Sequence, residues 1–342
     1  MSQPIPDEMR AAVVPAAGES FRVETRPVPD PGPAEVLVAV DACGVCHSDE
    51  FVVEGAFPGV DYPRVPGHEL VGRVVATGDE VVRWSVGDRV GAGWHGGHCF
   101  HCEACERGQF LACEEAAITG LSFDGGYAEY TTVPQEAAAA VPADLDAAEA
   151  APLLCAGVTT YNALRNAGAR PGDLVAVQGV GGLGHLGIQY AHAAGFETVA
   201  VSRSPQKREL ALELGADAFV DAGETDPAAA LTDRGGARVI LATAPSAAAM
   251  EAIQGGLGVE GSLVAVGVPG ESVGVDVQGL IGKTAAVEGW PSGSARDSAD
   301  TLAFSALRNV TPRVERFDLR DVAAAYGRMI ENEARFRAVL EP

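Results

Sequence analysis

The chain has 342 residues, 47% of them hydrophobic, enough for two globular domains with cores of their own. Its formal net charge of -23 repels nucleic acid and anionic membranes, and no run of about 18 apolar residues is present to span a bilayer. The first eight residues lack a basic stretch followed by an apolar run, which predicts a cytoplasmic protein without a secretory leader. Of the 24 basic residues only Lys207 and Lys283 are lysines, a bias that a salt-rich cytoplasm and a GC-rich genome would each produce.

From residue 11 to 40 apolar and polar residues alternate over short spans, broken by Pro27, Pro29, Pro31 and Pro33. This predicts strand, turn, strand and the start of an all-β region. Further strands are expected at 70–76, 88–90 and 127–133, and the alanine-rich stretch 137–151 suits helices and loops. From about residue 151 the rhythm changes. Apolar runs at 174–178, 198–202, 218–221, 238–242, 262–268 and 284–289 alternate with helical stretches such as 186–195 and 206–214, which describes a doubly wound parallel sheet. After Trp290 the chain reads as helix, a strand near 314–317, helix, and a last strand at 336–340.

Seven cysteines in a chain expected to be cytoplasmic favour metal over disulfides. Cys99, Cys102, Cys105 and Cys113 are spaced C-x2-C-x2-C-x7-C, so four thiolates can converge on one Zn²⁺ with no position left open. That is a structural site. A second set, Cys46 to Asp49, Gly67-His68-Glu69 and Cys155, has the composition of a catalytic zinc site with a free position. Taken singly, Cys155 in an apolar run reads more often as a core residue, and His68 more often as a satisfied loop histidine.

The segment Gln178 to His185 breaks an apolar strand into Gly179-Val180-Gly181-Gly182-Leu183-Gly184 and then into a helix. Glycines at these places allow the turn, let backbone approach a pyrophosphate, and pack helix on strand, a dinucleotide-binding pattern. Enzymes using NAD place a carboxylate at the end of the second strand. Here that strand ends in Ser202, Arg203 and, further on, Lys207, which suit the 2′-phosphate of NADP(H). A solvated helix start could also carry these residues, but one of only two lysines standing here favours a ligand.

The motifs Gly67-His68-Glu69, the four-cysteine segment, Cys155-Ala156-Gly157-Val158-Thr159 and the glycine turn occur in an order that resembles the zinc-dependent alcohol dehydrogenases of the medium-chain dehydrogenase/reductase superfamily. The resemblance covers essentially the whole chain, and the basic turn looks like that of cinnamyl-alcohol-dehydrogenase-type members. It implies a GroES-like, mostly-β catalytic domain (1–152 and 290–342, with a zinc lobe at 95–115) and a Rossmann cofactor domain (153–289). Two Zn²⁺ per chain are expected. One is held by Cys46, His68 and Cys155, the other by the four-cysteine lobe. Asp49 matches the carboxylate that orients the histidine ligand, Glu69 the glutamate that can approach the metal, and Ser48 the hydroxyl that accepts the alcohol proton, with His47 beside it in the catalytic set. Cys43 matches no ligand. Many relatives place a relay histidine five residues after the first ligand, where this chain has Phe51. Phe57 and Trp94 fall at pocket walls, while Thr159, the glycine turn, Val268 and Arg337 fall at cofactor positions.

The implied function is a zinc-dependent, NADP(H)-preferring alcohol dehydrogenase or aldehyde reductase acting on a small primary alcohol or aldehyde, aromatic ones included, in a homodimer or tetramer. An NAD-dependent zinc polyol or formaldehyde dehydrogenase is the rival enzyme. A non-catalytic NADPH-binding protein is the rival outside enzymes.

Overall fold

The computed structural model describes residues 4–342, which divide into two compact units, residues 4–155 with 293–342, and residues 156–292. The first is built on the long strand Glu35–Val45. Along one edge it pairs antiparallel with Leu70–Thr77. Its other edge takes Tyr130–Pro134 against residues 35–39 and Arg337–Glu341 against residues 43–45. The full sheet has seven strands, and its core is aliphatic, with Val36, Val38, Leu70, Val74, Val90, Val133 and Leu340 almost wholly buried. Register decides what meets at the end of this sheet. Cys43 lies opposite Leu70 and Val45 opposite Ala338, so Cys46, Glu69 and Arg337 leave or enter neighbouring strands at one end.

Two local readings are corrected. The stretch expected as a strand from 127 begins only at Tyr130. Ahead of it Gly125, Gly126 and Tyr127 donate to the carbonyls of Val65, Gly67 and Pro66, so this backbone serves the His68 loop instead of a sheet edge. Ala138–Ala140, inside a stretch read as helix or loop, is a strand paired with Val90, Gly91 and Ala92. Cross-strand pairing overrides the helical preference of alanine.

The second unit is a six-stranded parallel sheet. In chain order its strands are Leu174–Gln178, Glu197–Ser202, Ala218–Asp221, Ala237–Ala242, Leu257–Ala265 and Ala286–Gly289; in space they run third, second, first, fourth, fifth, sixth. This is the doubly wound order in which ligands bind beyond the carboxyl ends of the strands, where the first and fourth are neighbours. The 257–265 strand starts earlier than the apolar run suggests, reaching past a bulge opposite residues 237–239.

Candidate active site and metal centres

The first unit gathers Cys46, His68, Glu69 and Cys155, each offering a ligand atom within 4.8 Å of the others. Cys46 follows the central strand and opens a short helical turn, His47–Asp49. His68 and Glu69 immediately precede the strand Leu70–Thr77. Cys155 ends the helical turn Ala151–Leu154, which lies close to the sheet because Gly91 and Gly93 carry no side chain; a Cβ at Gly91 would come within 2.6 Å of Leu154 Cδ1. The two sulfurs are 3.7 Å apart. Hydrogen bonding from Cys155 holds the Cys46 thiol well below its usual range, and the same contact pushes Cys155 up. A cation bound between them would favour the thiolate form of both sulfurs. His68 Nε2 is buried with no hydrogen-bond partner, as expected of a nitrogen that ligates.

Asp49, fully buried, organises this cluster. Its Oδ2 accepts from Cys46 N at 2.9 Å and from Tyr127 Oη at 2.7 Å. Its Oδ1 lies 3.1 Å from His68 Nδ1. That contact is an ion pair and not a hydrogen bond of good geometry. Burial lowers the basicity of His68, yet Asp49 and Cys46 outweigh it and hold the imidazole well above its ordinary value. Glu69 is ion-paired through Oε1 with the buried Arg337, and burial against that pull leaves its carboxyl at about 7. Gly44 is required here, since any Cβ would overlap Glu69 Oε2.

Around His68 stands an arc of aromatic rings. Trp94 meets the imidazole edge-on at 5.1 Å, Phe51 lies 6.4 Å from Trp94, and Phe57 lies 6.0 Å from Phe51. Phe57 and Trp94 are half-buried and Phe51 is 38% exposed. Ser48 is half-buried in the turn after Cys46, and His47 is exposed with Nε2 3.5 Å from Glu50.

Cys99, Cys102, Cys105 and Cys113 form a second cluster within 4.8 Å. Backbone amides of Cys102 and Cys99 donate to the sulfurs of Cys99 and Cys113 at 3.4 and 3.3 Å, and Glu115 N also reaches Cys113. Amide donors favour the thiolate, and those from Glu114 and Cys105 bring Cys102 down to about 6. All seven cysteines are free thiols.

In the second unit the glycine turn joins Leu174–Gln178 to the helix Gly184–Ala193. The three glycines have different tasks. Gly179 has φ +99°, Gly181 has open space where its Cβ would be, and a Cβ on Gly184 would overlap the Gly179 carbonyl. Turn, ligand approach and helix–strand packing are thus each served, the division of tasks that a dinucleotide-binding turn requires. Lys207 reaches back to donate to Val180 O at 2.6 Å, bracing the turn. Ser202 closes the second strand, its hydroxyl accepting from Ser204 N at 3.2 Å, and Arg203 beside it is exposed. Thr159 is buried on the helix Ala156–Asn166, and Val268, past the fifth strand, is 85% exposed.

Residues 32–143 match the family described as alcohol dehydrogenase GroES-like domain, and residues 182–307 match zinc-binding dehydrogenase. An alcohol dehydrogenase of Aspergillus sp. (strain MF297-2) is 43% identical over 98% of this chain and 98% of its own. The chain belongs to the zinc-type alcohol dehydrogenases of the medium-chain dehydrogenase/reductase superfamily. Zinc and a nicotinamide cofactor come with that membership. Two solved relatives bracket the cofactor question. The CAD of Helicobacter pylori, complexed with NADP(H), superposes with a TM-score of 0.85 at 26% identity over 98% of both chains. Acetophenone reductase of Geotrichum candidum, in complex with NAD, gives 0.84 at 25% over 99% of both. Fold alone therefore does not choose between the two nicotinamides. No helix of this dehydrogenase is long and apolar enough to cross a membrane among the described residues.

Sequence reasoning missed two features of the dehydrogenase. Tyr127 was hidden inside an expected strand. The signal was Gly125-Gly126 before it, since a Cβ at Gly126 would come within 2.8 Å of Cys43 Sγ, so these glycines press the tyrosine into the core. Arg337, expected at the cofactor, is placed on Glu69, an ion pair between residues 268 apart that no local pattern reveals.

Proposed function

We propose that this dehydrogenase interconverts primary alcohols and aldehydes with NADP(H), with two Zn²⁺ per chain and an aromatic-walled substrate site. The catalytic reading rests on one observation: Cys46, His68 and Cys155 converge while the fourth donor, Glu69, is tied to Arg337. Zinc bound there would supply a Lewis acid that acidifies the alcohol, and the nicotinamide would supply the hydride acceptor. The chain's own side chains do the rest. Asp49 orients His68. The Ser48 hydroxyl, half-buried in the turn after Cys46, accepts the alcohol proton and hands it on toward solvent. Phe51, Phe57 and Trp94 keep water from the reacting carbon and offer ring faces to an aromatic substituent. Cys99, Cys102, Cys105 and Cys113 hold the second zinc as a structural tie. Within the second unit, cofactor contacts fall to Thr159, the glycine turn from Gly179 to Gly184 and Val268.

Support for NADP(H) comes from the end of the second strand, where Ser202 and Arg203 stand and no carboxylate does. A charge-assisted hydrogen bond contributes about 1.5–3 kcal/mol. Arg203→Ala is therefore expected to raise the NADPH Michaelis constant about tenfold or more, the equivalent of 1.4 kcal/mol, and to leave NADH little changed. Lys207 behaves differently because it also braces Val180, so Lys207→Ala should weaken both cofactors. Ser202→Asp should tilt preference toward NADH. Steady-state kinetics of the unmodified enzyme decide the matter first: equal use of NADH and NADPH would sink the assignment. A parallel series of aromatic and aliphatic aldehydes tests the pocket, with aromatic substrates expected to show the higher kcat/KM.

A further inference from the structure

We propose that Tyr127 is a positioning residue for the catalytic zinc, acting through a buried chain from Tyr127 to Asp49 to His68. This inference rests on the zinc reading above. Asp49 has two oxygens with divided tasks. Two donors, Cys46 N and Tyr127 Oη, converge on Oδ2 from sequence positions 3 and 78 residues away. Held on that side, the carboxylate presents Oδ1 to His68 Nδ1 at 3.1 Å. The backbone donor comes with the local turn, as Cys46 caps the helical turn that carries Asp49. The hydroxyl is the long-range constraint, and it is rigid. Tyr127 is fully buried, with its ring against Phe21 at 6.1 Å between centroids and its backbone amide on Pro66 O, two residues before His68. One residue thus fixes both the histidine's loop and the histidine's carboxylate.

Removing the hydroxyl leaves Oδ2 with one donor in a site water does not reach, freeing the carboxylate to rotate away from His68. Outer partners of this kind typically contribute 10–100-fold in metal affinity. Tyr127→Phe keeps the packed ring, so the fold should persist, which far-UV circular dichroism checks. The unmodified and variant enzymes are equilibrated with graded chelator and zinc per chain is measured, the four-cysteine zinc serving as an internal standard. The labile zinc of the variant is expected to leave at about 10–100-fold lower chelator concentration. With cobalt in that site, its visible bands should shift, and kcat should fall with the nicotinamide Michaelis constant unchanged. On an Asp49→Asn background, Tyr127→Phe should add nothing further. An unchanged chelator midpoint and cobalt spectrum, or effects that add to those of Asp49→Asn, overturn the proposal. An unmodified chain with no chelator-labile zinc would instead overturn the zinc reading beneath it.

Discussion

Cys46→Ala is expected to abolish turnover in a chain that stays folded, whereas Cys102→Ala is expected to lower stability and solubility while the surviving protein retains activity. The difference lies in what surrounds each sulfur. Cys46 adjoins a sheet whose core of valines, leucines and alanines would hold its shape without any metal. On the proposed zinc assignment, its loss removes one of three ligands from an open site, and with it a Lewis acid that would account for several kcal/mol of transition-state stabilisation. Cys102 sits where Cys99, Cys105, Cys113, Ala104 and Phe110 are the whole apolar cluster. Such a lobe has almost nothing to bury except the cysteines, so its folding free energy is largely metal-binding free energy. Metal analysis, melting temperature and activity on the three proteins separate the two sites. The unmodified chain should carry two zinc ions, Cys46→Ala one with a near-normal melting temperature, and Cys102→Ala one with a lowered melting temperature. One zinc or none in the unmodified protein would remove the assignment.

That contrast also marks what a sequence can disclose. Four cysteines within fifteen residues need no tertiary fold to meet, so their cluster could be read directly from spacing. The glycine turn is equally local: strand, turn and helix are continuous in the chain, and the structure gives Gly179, Gly181 and Gly184 separate steric reasons to be glycine. The set around His68 is different. Cys46 and Cys155 are 109 residues apart, and their 3.7 Å separation depends on Gly91 and Gly93 letting a helical turn settle on the sheet. Only family resemblance could join them in advance. The same limit hid Tyr127 and the Glu69–Arg337 pair, whose partners are set by strand register, a global property. Ala138–Ala140 failed for the opposite reason, because local propensity was informative and pairing with Val90–Ala92 overruled it.

Phe51 turns that kind of reading into a mechanistic expectation. It holds the position where the family resemblance implies a relay histidine, and the structure gives it an aromatic neighbourhood, 6.0 Å from Phe57 and 6.4 Å from Trp94. A phenyl ring can shape a pocket but cannot carry a proton. In the proposed mechanism the acid–base work falls on Ser48, one residue from the buried Asp49 and two from Cys46. Proton transfer by a positioned group contributes typically 10²–10⁴-fold, so Ser48→Ala should lower kcat by about that factor. Zinc content and the nicotinamide Michaelis constant should not move, because no metal ligand or cofactor contact has changed. Ser48→Thr, which keeps the hydroxyl, should restore most of the rate. Phe51→His should be tolerated or raise the rate near neutral pH, since an imidazole can take the proton onward, while the loss of a ring wall should weaken aromatic substrates more than aliphatic ones. Steady-state kinetics across pH 6–9 on these variants read each effect. A Ser48→Ala enzyme within a few-fold of normal turnover would show that another group accepts the proton, and the exposed His47, one position earlier, would be the next residue to replace.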